Sequence, residues 1–220
     1  VSQQGDDMTQ DLHEQMKTRR TEILAAALEV FDAHGFGHTT MDMVAAKAGI
    51  AKGSLYNYFS NKQDLFCQAF AETLSGDEAD ADTVIAQDRP AFEKLEWMMD
   101  RWFSRFGHFQ KIGRLILEVM ATAARDDEGP LSQVLQTMYA GWRQRLTTIL
   151  EQGKAAGEFQ DHAEPTVAAS LIMGVLDGVV IQAILKVGVQ VDEEFLDALK
   201  RGILAGLTAA TAPGMGGSQL

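Results

Sequence analysis

The segment from Ala51 to Lys62 carries many hydrogen-bond donors but too few apolar residues to form a core of its own. The donors are Lys52, Ser54, Tyr56, Asn57, Tyr58 and Lys62. A lysine can donate to O6 or N7 of guanine in the major groove of DNA, and hydroxyl, amide and ammonium groups can donate to phosphates. The residue types therefore indicate recognition of DNA, with Lys52 as the candidate base contact.

Two short helices separated by a glycine are predicted to position these donors. Thr39 can cap the first helix, Asp42 lies in its first turn, and Gly49 ends it. The second helix is predicted over residues 51–58, with Leu55 on its buried side. Neither helix is long enough to be stable without neighbours.

Helices on either side are predicted to brace this pair. Ser60 and Gln63 form an S-x-x-Q capping box, which predicts a third helix whose apolar positions begin at Leu65. Residues 18–34 predict a preceding helix with a broad apolar stripe, which Gly35 ends.

The composition predicts an all-α protein with a sizeable core. The chain has 220 residues, of which 46% are hydrophobic and four are proline, and its long segments repeat apolar residues at helical spacing. The single cysteine, Cys67, excludes an intrachain disulfide and fits a reducing, cytoplasmic compartment. The most apolar segment, residues 167–187, is interrupted by Asp177, Gln182 and Lys186, so we expect no membrane span.

The sequence gives no indication of an enzyme, a metal site or a cofactor site. A nucleophile with a neighbouring base and a glycine-rich phosphate loop are not recognisable, and the five histidines are scattered. His34 and His38 have a spacing that could bind a metal from one helix, but the glycines between them disfavour a continuous helix. We therefore expect no catalysis, no metal and no cofactor.

The formal net charge of −12 is unevenly distributed along the chain. Residues 17–62 contain six Lys and Arg against four Asp and Glu, a net charge of +2, whereas the remaining residues together carry −14. An acidic protein repels phosphates overall, so contact with DNA is favoured through the N-terminal segment. A solvated basic face without function is the alternative.

Residues 18–70 resemble the N-terminal DNA-binding domain of the TetR family of transcriptional repressors. The matching stretches are AHGFGHTT, MVAAKAGIAKGSLYNYF and SNKQDLF. The resemblance implies a helix-turn-helix within a three-helix unit, and a homodimer that binds double-stranded operator DNA. One departure is Ala51, where the family often has a serine that caps the recognition helix, a contact worth about 1 kcal/mol.

The chemistry and the resemblance together predict roles for individual residues. The expected base contacts are Lys52, Gly53 and Tyr56. The resemblance implies phosphate contacts from Thr40, Ser54, Asn57, Tyr58 and Lys62. Gly53 would let the backbone approach the groove closely. Partial burial is the alternative for the two tyrosines, whereas Lys62 is the least easily explained by packing.

The C-terminal part predicts a helical body that binds a small molecule. Residues 75–89 are acidic and predict an irregular connection, after which helices are expected from Pro90, over 112–124, and over about 130–152. The candidate effector pocket consists of Met98, Trp102, Phe103, Met120, Tyr139, Trp142 and Asp177. Core packing is the alternative for the aromatic residues, and a structural hydrogen bond is the alternative for Asp177. The family resemblance implies an inducer pocket in this body.

The last two long helices are the candidate homodimer interface. They are predicted after Glu164 and over residues 192–207, and small residues on the first would allow helices to approach closely. The stretches WRQRLTTILEQGKAAGEF and MGVLDGVVIQAIL resemble the C-terminal domain of a TetR subgroup that includes choline-responsive regulators. The effector itself is not assigned.

These patterns predict four parts: a mobile arm (1–16), a DNA-binding domain (17–74), an effector-binding and dimerisation domain (75–210) and a disordered tail (211–220). The predicted function is ligand-responsive repression, in which a small apolar or amphipathic effector releases a homodimer from a palindromic operator. The alternative is a helical small-molecule-binding or adaptor protein without specific DNA binding, for which the overall acidity and Ala51 are the arguments.

Overall fold

A computed structural model describes residues 2–75, 78–126, 128–160, 164–188 and 190–208, and within these ranges the chain is all-α. One isolated antiparallel bridge joins Phe159 to Thr208. In chain order the helices are α1 (Ser2–His38), α2 (Met41–Lys47), α3 (Lys52–Leu55), α4 (Lys62–Ser75), α5 (Glu78–Ala86), α6 (Ala91–Ser104), α7 (Phe106–Lys111), α8 (Gly113–Ala123), α9 (Pro130–Ala155), α10 (Pro165–Leu185) and α11 (Glu193–Leu207).

By packing, the chain divides into two units. The first contains Val1–Gly76 and Ile112–Met138, and the second contains Asp77–Lys111 and Tyr139–Leu220. Helix α8 therefore packs with the N-terminal helices, although it follows them by some forty residues in the sequence. The functional division at residue 75 stays a prediction.

The core of the first unit is aromatic. Phe31 of α1 and Phe66 of α4 are fully buried and lie edge to face, with ring centroids 4.7 Å apart. The ring of Phe36 lies 4.8 Å from that of Phe66 and 6.0 Å from that of Phe31. Such aromatic pairs contribute about 0.5–1.5 kcal/mol beyond the area they bury. They hold α1 and α4 together as the frame for the two short helices.

The end of α1 bends at Gly35, and side chains from two other helices hold the bend. Gly35 has φ 72°, a left-handed conformation that glycine adopts without steric cost. Both carboxylate oxygens of Glu118, on α8, accept from the Phe36 amide at 3.1 Å. The Lys62 ammonium donates to the Phe36 carbonyl at 2.8 Å and lies 4.5 Å from the centroid of its ring. The Phe36 peptide thus joins α1, α4 and α8.

The second unit has a mainly aliphatic core that α6, α9, α10 and α11 share. Its buried residues are Ala91, Leu95, Met98, Met99, Leu146, Ile149, Leu150, Phe159, Ala168, Ala169, Ile172, Leu176 and Leu204. Polar contacts fix its edges: Arg145 on α9 binds the Asp82 carboxylate on α5 through two nitrogens, at 2.8 and 2.9 Å. Lys200 on α11 donates to Asp100 on α6 at 2.7 Å.

The start of α2 lies one residue beyond the predicted position. Thr40 is the N-cap, and its hydroxyl accepts from the Met43 amide at 3.3 Å. Thr39, the predicted cap, is buried and donates its hydroxyl to the Gly35 carbonyl at 2.8 Å. Burial of the first of two adjacent threonines leaves the second to cap the helix.

The capping box predicted for α4 is also wrong by one residue. The Asn61 side chain accepts from the Asp64 amide at 2.9 Å, and the Asp64 carboxylate accepts from the Ser60 amide at 2.8 Å. A carboxylate is a stronger acceptor than the amide of Gln63, which was expected in this role.

Two segments predicted to be irregular are helical. Residues 2–16, the predicted arm, belong to α1, because Gln, Glu, Met and Leu are good helix formers. Within the predicted connection 75–89, α5 begins with Glu78 and buries Ala81 and Val84.

In contrast, α3 is shorter than predicted, with turns after Leu55. The predicted tail, 211–220, lies outside the described residues.

Replacing Glu118 with alanine is expected to destabilise the bend at Gly35. The Phe36 amide would lose its carboxylate acceptor while remaining partly buried, which costs about 1–3 kcal/mol. The free energy of unfolding in urea measures this loss. Arg114→Ala, at an exposed site on the same helix, is the control and should change it by less than about 0.5 kcal/mol. Equal stability of Glu118→Ala and wild type would show that the contact contributes nothing.

Candidate nucleic-acid interface

Helices α2 and α3 are joined by a tight turn. Gly49 adopts φ 65° in this turn, and the Ile50 amide donates to the Ala45 carbonyl at 3.0 Å. The amides of Ser54 and Leu55 donate to the Ala51 carbonyl, which begins α3. Two helices linked through one left-handed glycine form a helix-turn-helix, as predicted.

Burial on one side of α3 leaves its donors on the other. Leu55 and Phe59 are 0% and 1% exposed, so they anchor the segment to the first unit. Lys52, Tyr56 and Asn57 are exposed, whereas Ser54 and Tyr58 are half-buried. Tyr56 is 47% exposed, and this favours the predicted contact role over burial in the core.

The ammonium of Lys52 is bound to a carboxylate on the preceding helix. It donates to Asp42, in the first turn of α2, at 2.8 Å. This hydrogen bond and the negative charge of Asp42 raise the pKa of Lys52. The candidate base contact is therefore held at the junction of the two helices. The sequence pattern places Asp42 only at the helix start and does not display its contact with Lys52. An acid in the first turn of α2 followed by a lysine at the start of α3 is the one signal of this pair in the sequence.

Gly53 has no structural need to be glycine. A Cβ atom at this position would lie more than 4 Å from any heavy atom outside its chain neighbours and the backbone of its own helix, and φ is not positive. The absence of a side chain on this exposed residue leaves room for a close approach by another molecule, which fits the predicted base contact.

The predicted phosphate contacts Thr40 and Lys62 have internal partners. Thr40 is exposed and caps α2, so its hydroxyl oxygen accepts from within the helix while its proton is available to donate. Lys62 is half-buried against Phe36, so packing explains much of its position. Its phosphate contact stays a prediction.

Three of the six cations of the slightly basic segment, residues 17–62, are shown paired with acids of the same unit. Besides Lys52 with Asp42, Lys47 binds Glu29 at 2.5 Å and Arg19 binds Glu22 at 2.6 Å. These ion pairs lower the positive charge that the segment presents to solvent. Binding to DNA must therefore depend more on the placement of individual donors than on net charge.

The residues predicted to form an effector pocket fall into separate groups. Met98 belongs to the core of the second unit, and Trp102, Phe103 and Trp142 pack against it. The rings of Trp102 and Phe103 lie edge to face, with centroids 5.5 Å apart. Met120, half-buried on α8, belongs to the first unit. The structure thus groups four of these residues around one apolar cluster.

Tyr139 and Asp177 form a partly buried polar pair between α9 and α10. The Tyr139 hydroxyl donates to the Asp177 carboxylate at 2.8 Å. Burial, together with the neighbouring negative charge, raises the pKa of Tyr139. Burial also raises the pKa of Asp177, and the hydrogen bond from Tyr139 only partly opposes this effect. The structural hydrogen bond considered for Asp177 is therefore present.

A shallow crevice lies elsewhere in the second unit, beside Leu150, Phe159 and Pro165, and none of the predicted pocket residues lines it. Among the described residues, no group of three His, Cys, Asp or Glu side chains could hold a metal ion.

An all-α chain with an exposed, donor-rich helix-turn-helix belongs to the class of helix-turn-helix DNA-binding proteins. Residues 23–69 match the family described as "Bacterial regulatory proteins, tetR family", and residues 91–208 match the domain described as "BetI-type transcriptional repressor, C-terminal". The chain belongs to the TetR family of transcriptional regulators.

Several known regulators are similar over most of their length. The "Fatty acid metabolism regulator protein" of Bacillus subtilis is 26% identical over 163 residues, which cover 74% of this chain and 82% of the relative. The repressor KstR2 of Mycolicibacterium smegmatis is 26% identical over 153 residues, covering 70% and 73%. The solved structure of FadR from Bacillus subtilis in complex with stearoyl-CoA has a TM-score of 0.67 and 25% identity, covering 84% of this chain and 95% of that one.

Gly53→Ala is expected to separate DNA binding from stability. The site has room for a methyl group, and alanine is the better helix former by up to about 1 kcal/mol, so the melting temperature should stay equal or rise. Affinity for DNA should fall about tenfold or more, a loss of roughly 1.4 kcal/mol, because the methyl group separates the backbone from the groove.

The matched control for this variant is Gly107→Ala, an exposed and uncrowded glycine on α7. Melting curves and titration of labelled duplex measure the two effects. If Gly53→Ala bound DNA as tightly as wild type, α3 would not approach the groove at this residue.

Asp177→Asn and Tyr139→Phe are expected to change stability in opposite directions. The folded-state pKa of Asp177 is raised, so its contribution to stability is fully present below the unfolded-state pKa, about 3.9, and is lost as the pH rises through the folded-state value. At pH 7.5 the asparagine, which can still accept from Tyr139, should therefore raise the free energy of unfolding, and the gain should shrink towards pH 4.

Tyr139→Phe leaves the carboxylate without its donor and should cost about 1–3 kcal/mol at pH 7.5. Urea unfolding between pH 4 and 8 measures both variants. The control is Asp88→Asn, an exposed acid in the same unit. A gain for Asp177→Asn that did not vary with pH would show that removal of a buried charge is not its cause.

Proposed function

We propose that the chain is a homodimeric repressor that binds a palindromic operator through α3 and is released by an amphipathic small molecule. No catalytic step is involved, and the protein acts in the cytoplasm of a bacterial cell. The observation that carries the proposal is the arrangement of α3, whose Leu55 and Phe59 are buried while Lys52, Tyr56 and Asn57 face solvent.

Operator recognition combines two kinds of contact. Lys52, Gly53 and Tyr56 lie at or beside the base edges of the major groove, and Thr40, Ser54, Asn57, Tyr58 and Lys62 bind phosphates. Phosphate contacts fix the position of the protein but carry no sequence information, so discrimination between sequences rests on the first group. Two copies of α3 must lie one DNA turn apart, about 34–36 Å.

The dimer forms through α10 and α11. Val167, Leu171 and Val175 are 55%, 65% and 43% exposed and follow one another at intervals of four, so they form a stripe along α10. Within the described residues, α10 is long and apolar enough to cross a membrane by length and composition. Pairing with a second copy accounts for this stripe better than lipid, because α10 also carries Asp177 bound to Tyr139.

The effector has an apolar portion and a polar group. Met98, Trp102, Phe103 and Trp142 of the second unit would contact the apolar portion, and the Tyr139–Asp177 pair of the same unit would meet the polar group. The similarity to a regulator crystallised with stearoyl-CoA makes acyl-CoA thioesters the first class to test. A carboxylate near aromatic rings also suits an organic cation, which is the second class.

Release from the operator is a population shift. The effector binds one arrangement of the dimer more tightly than the arrangement that fits the two half-sites. A coupling of about 1–3 kcal/mol lowers operator affinity about 5- to 150-fold. The reciprocal effect, weaker effector binding in the presence of operator, follows from linkage.

Selection of bound duplexes from a random pool tests the proposal. We expect an inverted repeat with half-sites about 10 base pairs apart, bound by a dimer in sedimentation. Leu171→Glu should give a monomer and lower affinity for the repeat about 100-fold or more, since the two half-sites are no longer bound together.

Ser170→Glu is the control for this variant, because it adds the same charge at the adjacent exposed position, off the apolar stripe. The selected complex is then titrated with acyl-CoA thioesters of increasing chain length and with quaternary ammonium compounds. Failure to enrich any sequence would contradict the proposal and favour the alternative hypothesis, a small-molecule-binding or adaptor protein without specific DNA binding. A monomer bound to single half-sites would contradict the dimer.

A further inference from the structure

The recognition helix, α3, starts without a side-chain cap. α3 is four residues long, and its N-cap residue, Ala51, has extended dihedrals (φ −68°, ψ 144°) and no side chain that could accept from the first turn. The Asp42 carboxylate on α2 instead holds the first residue of α3, through the 2.8 Å hydrogen bond to Lys52. An ion pair between α2 and α3 is thus the side-chain contact at the start of α3, where an N-cap side chain is missing.

As a contribution to stability, this pair is minor. The side chains of Lys52 and Asp42 are 50% and 64% exposed, and exposed ion pairs contribute little because water and salt screen them. A negative charge close to a DNA-facing lysine is moreover unfavourable for affinity, because it cancels a charge that phosphates would attract. The remaining effect of the Asp42–Lys52 pair is to fix the position of the Lys52 ammonium.

The geometry suits a positioning role. An ammonium has three donors, so Lys52 can donate one hydrogen to Asp42 and still donate two to O6 and N7 of a guanine. A free lysine is a flexible point charge that can reach any nearby phosphate whatever the sequence. Holding Lys52 on Asp42 lowers its binding to phosphates and limits its donors to one direction.

We propose that Asp42 is a specificity-determining residue that acts by positioning Lys52, at the expense of affinity for DNA in general. The inference rests on the proposed reading of an operator by α3. It predicts that loss of the Asp42 charge makes binding to random DNA tighter and the preference for operator weaker, a combination that simple damage to the fold would not produce.

Asp42→Asn is compared with wild type for binding to the selected operator and to a random-sequence duplex of equal length, across a range of salt concentrations. We expect tighter binding to the random duplex, with a log–log salt slope steeper by about 1 for each recognition helix. The ratio of operator to random affinity should fall about 5- to 150-fold, the range for one well-placed base contact.

Glu29→Gln is the matched control, since it removes one negative charge from the same unit and frees Lys47, which is not on α3. It should leave the affinity ratio unchanged. Melting curves confirm that each variant is folded.

A double-mutant cycle with Lys52→Ala decides whether Asp42 acts through Lys52. In the Lys52→Ala background, Asp42→Asn should no longer change the ratio. An equal change in both backgrounds would overturn the inference and indicate that Asp42 itself contacts a base. An unchanged ratio for Asp42→Asn alone would also overturn it, while leaving the proposed function intact. A wild-type chain that binds all duplexes equally would overturn both.

Discussion

A helix of four residues cannot hold itself together, and this constraint governs the first unit. Forming one helical turn fixes several residues for very few hydrogen bonds, so α3 exists only because its neighbours fix it. Leu55 and Phe59 supply the anchorage by complete burial. Helix α3 packs against α2, and the Arg20 guanidinium of α1 lies 5.9 Å from the centroid of the Phe59 ring. Helix α8 supports the aromatic frame of α1 and α4 through Glu118. The donors on α3 are therefore placed by tertiary packing, and the helix contributes little of its own.

The elements that sequence predicted well are those with local causes. Gly49 and the apolar positions Leu55 and Phe59 indicate a turn and an anchored short helix. Asp192 marks the start of α11, where its carboxylate accepts a hydrogen bond from the Phe195 amide. The errors at Thr39 and in the capping box of α4 arose where two neighbouring residues could both cap. At Thr39 tertiary burial decided between them, and a single sequence does not display burial. At α4 the Asp64 carboxylate, a stronger acceptor than the amide of Gln63, decided instead.

For the predicted DNA-contact residues, exposure could be predicted from the sequence, whereas tertiary partners could not. The exposure of Lys52 and Tyr56 follows from the burial of Leu55 on the same short helix, so their orientation could be predicted. The partners of Lys52 and Lys62 could not, because Asp42 and Phe36 lie ten and twenty-six residues away and meet them only in the folded chain. Lys62 illustrates the consequence: a lysine that looked free for phosphate is largely accounted for by Phe36.

Three departures from local helix preference lie at or beside predicted site residues: Gly53, its neighbour Ala51, and Asp177 of the predicted effector pocket. Gly53 lies in a helix without a steric reason, Ala51 begins that helix without a cap, and Asp177 is a partly buried acid in the most apolar helix. Each weakens the fold slightly, whereas α2, α4 and α11 begin with the side-chain caps Thr40, Asn61 and Asp192. Departures from local preference in an otherwise consistent sequence concentrate at functional residues. Gly53 and Ala51 keep the start of α3 free of bulk, and Asp177 keeps one polar group inside an apolar body. Stability alone explains none of the three, and each lies where the proposed recognition of DNA or of an amphipathic effector would use it.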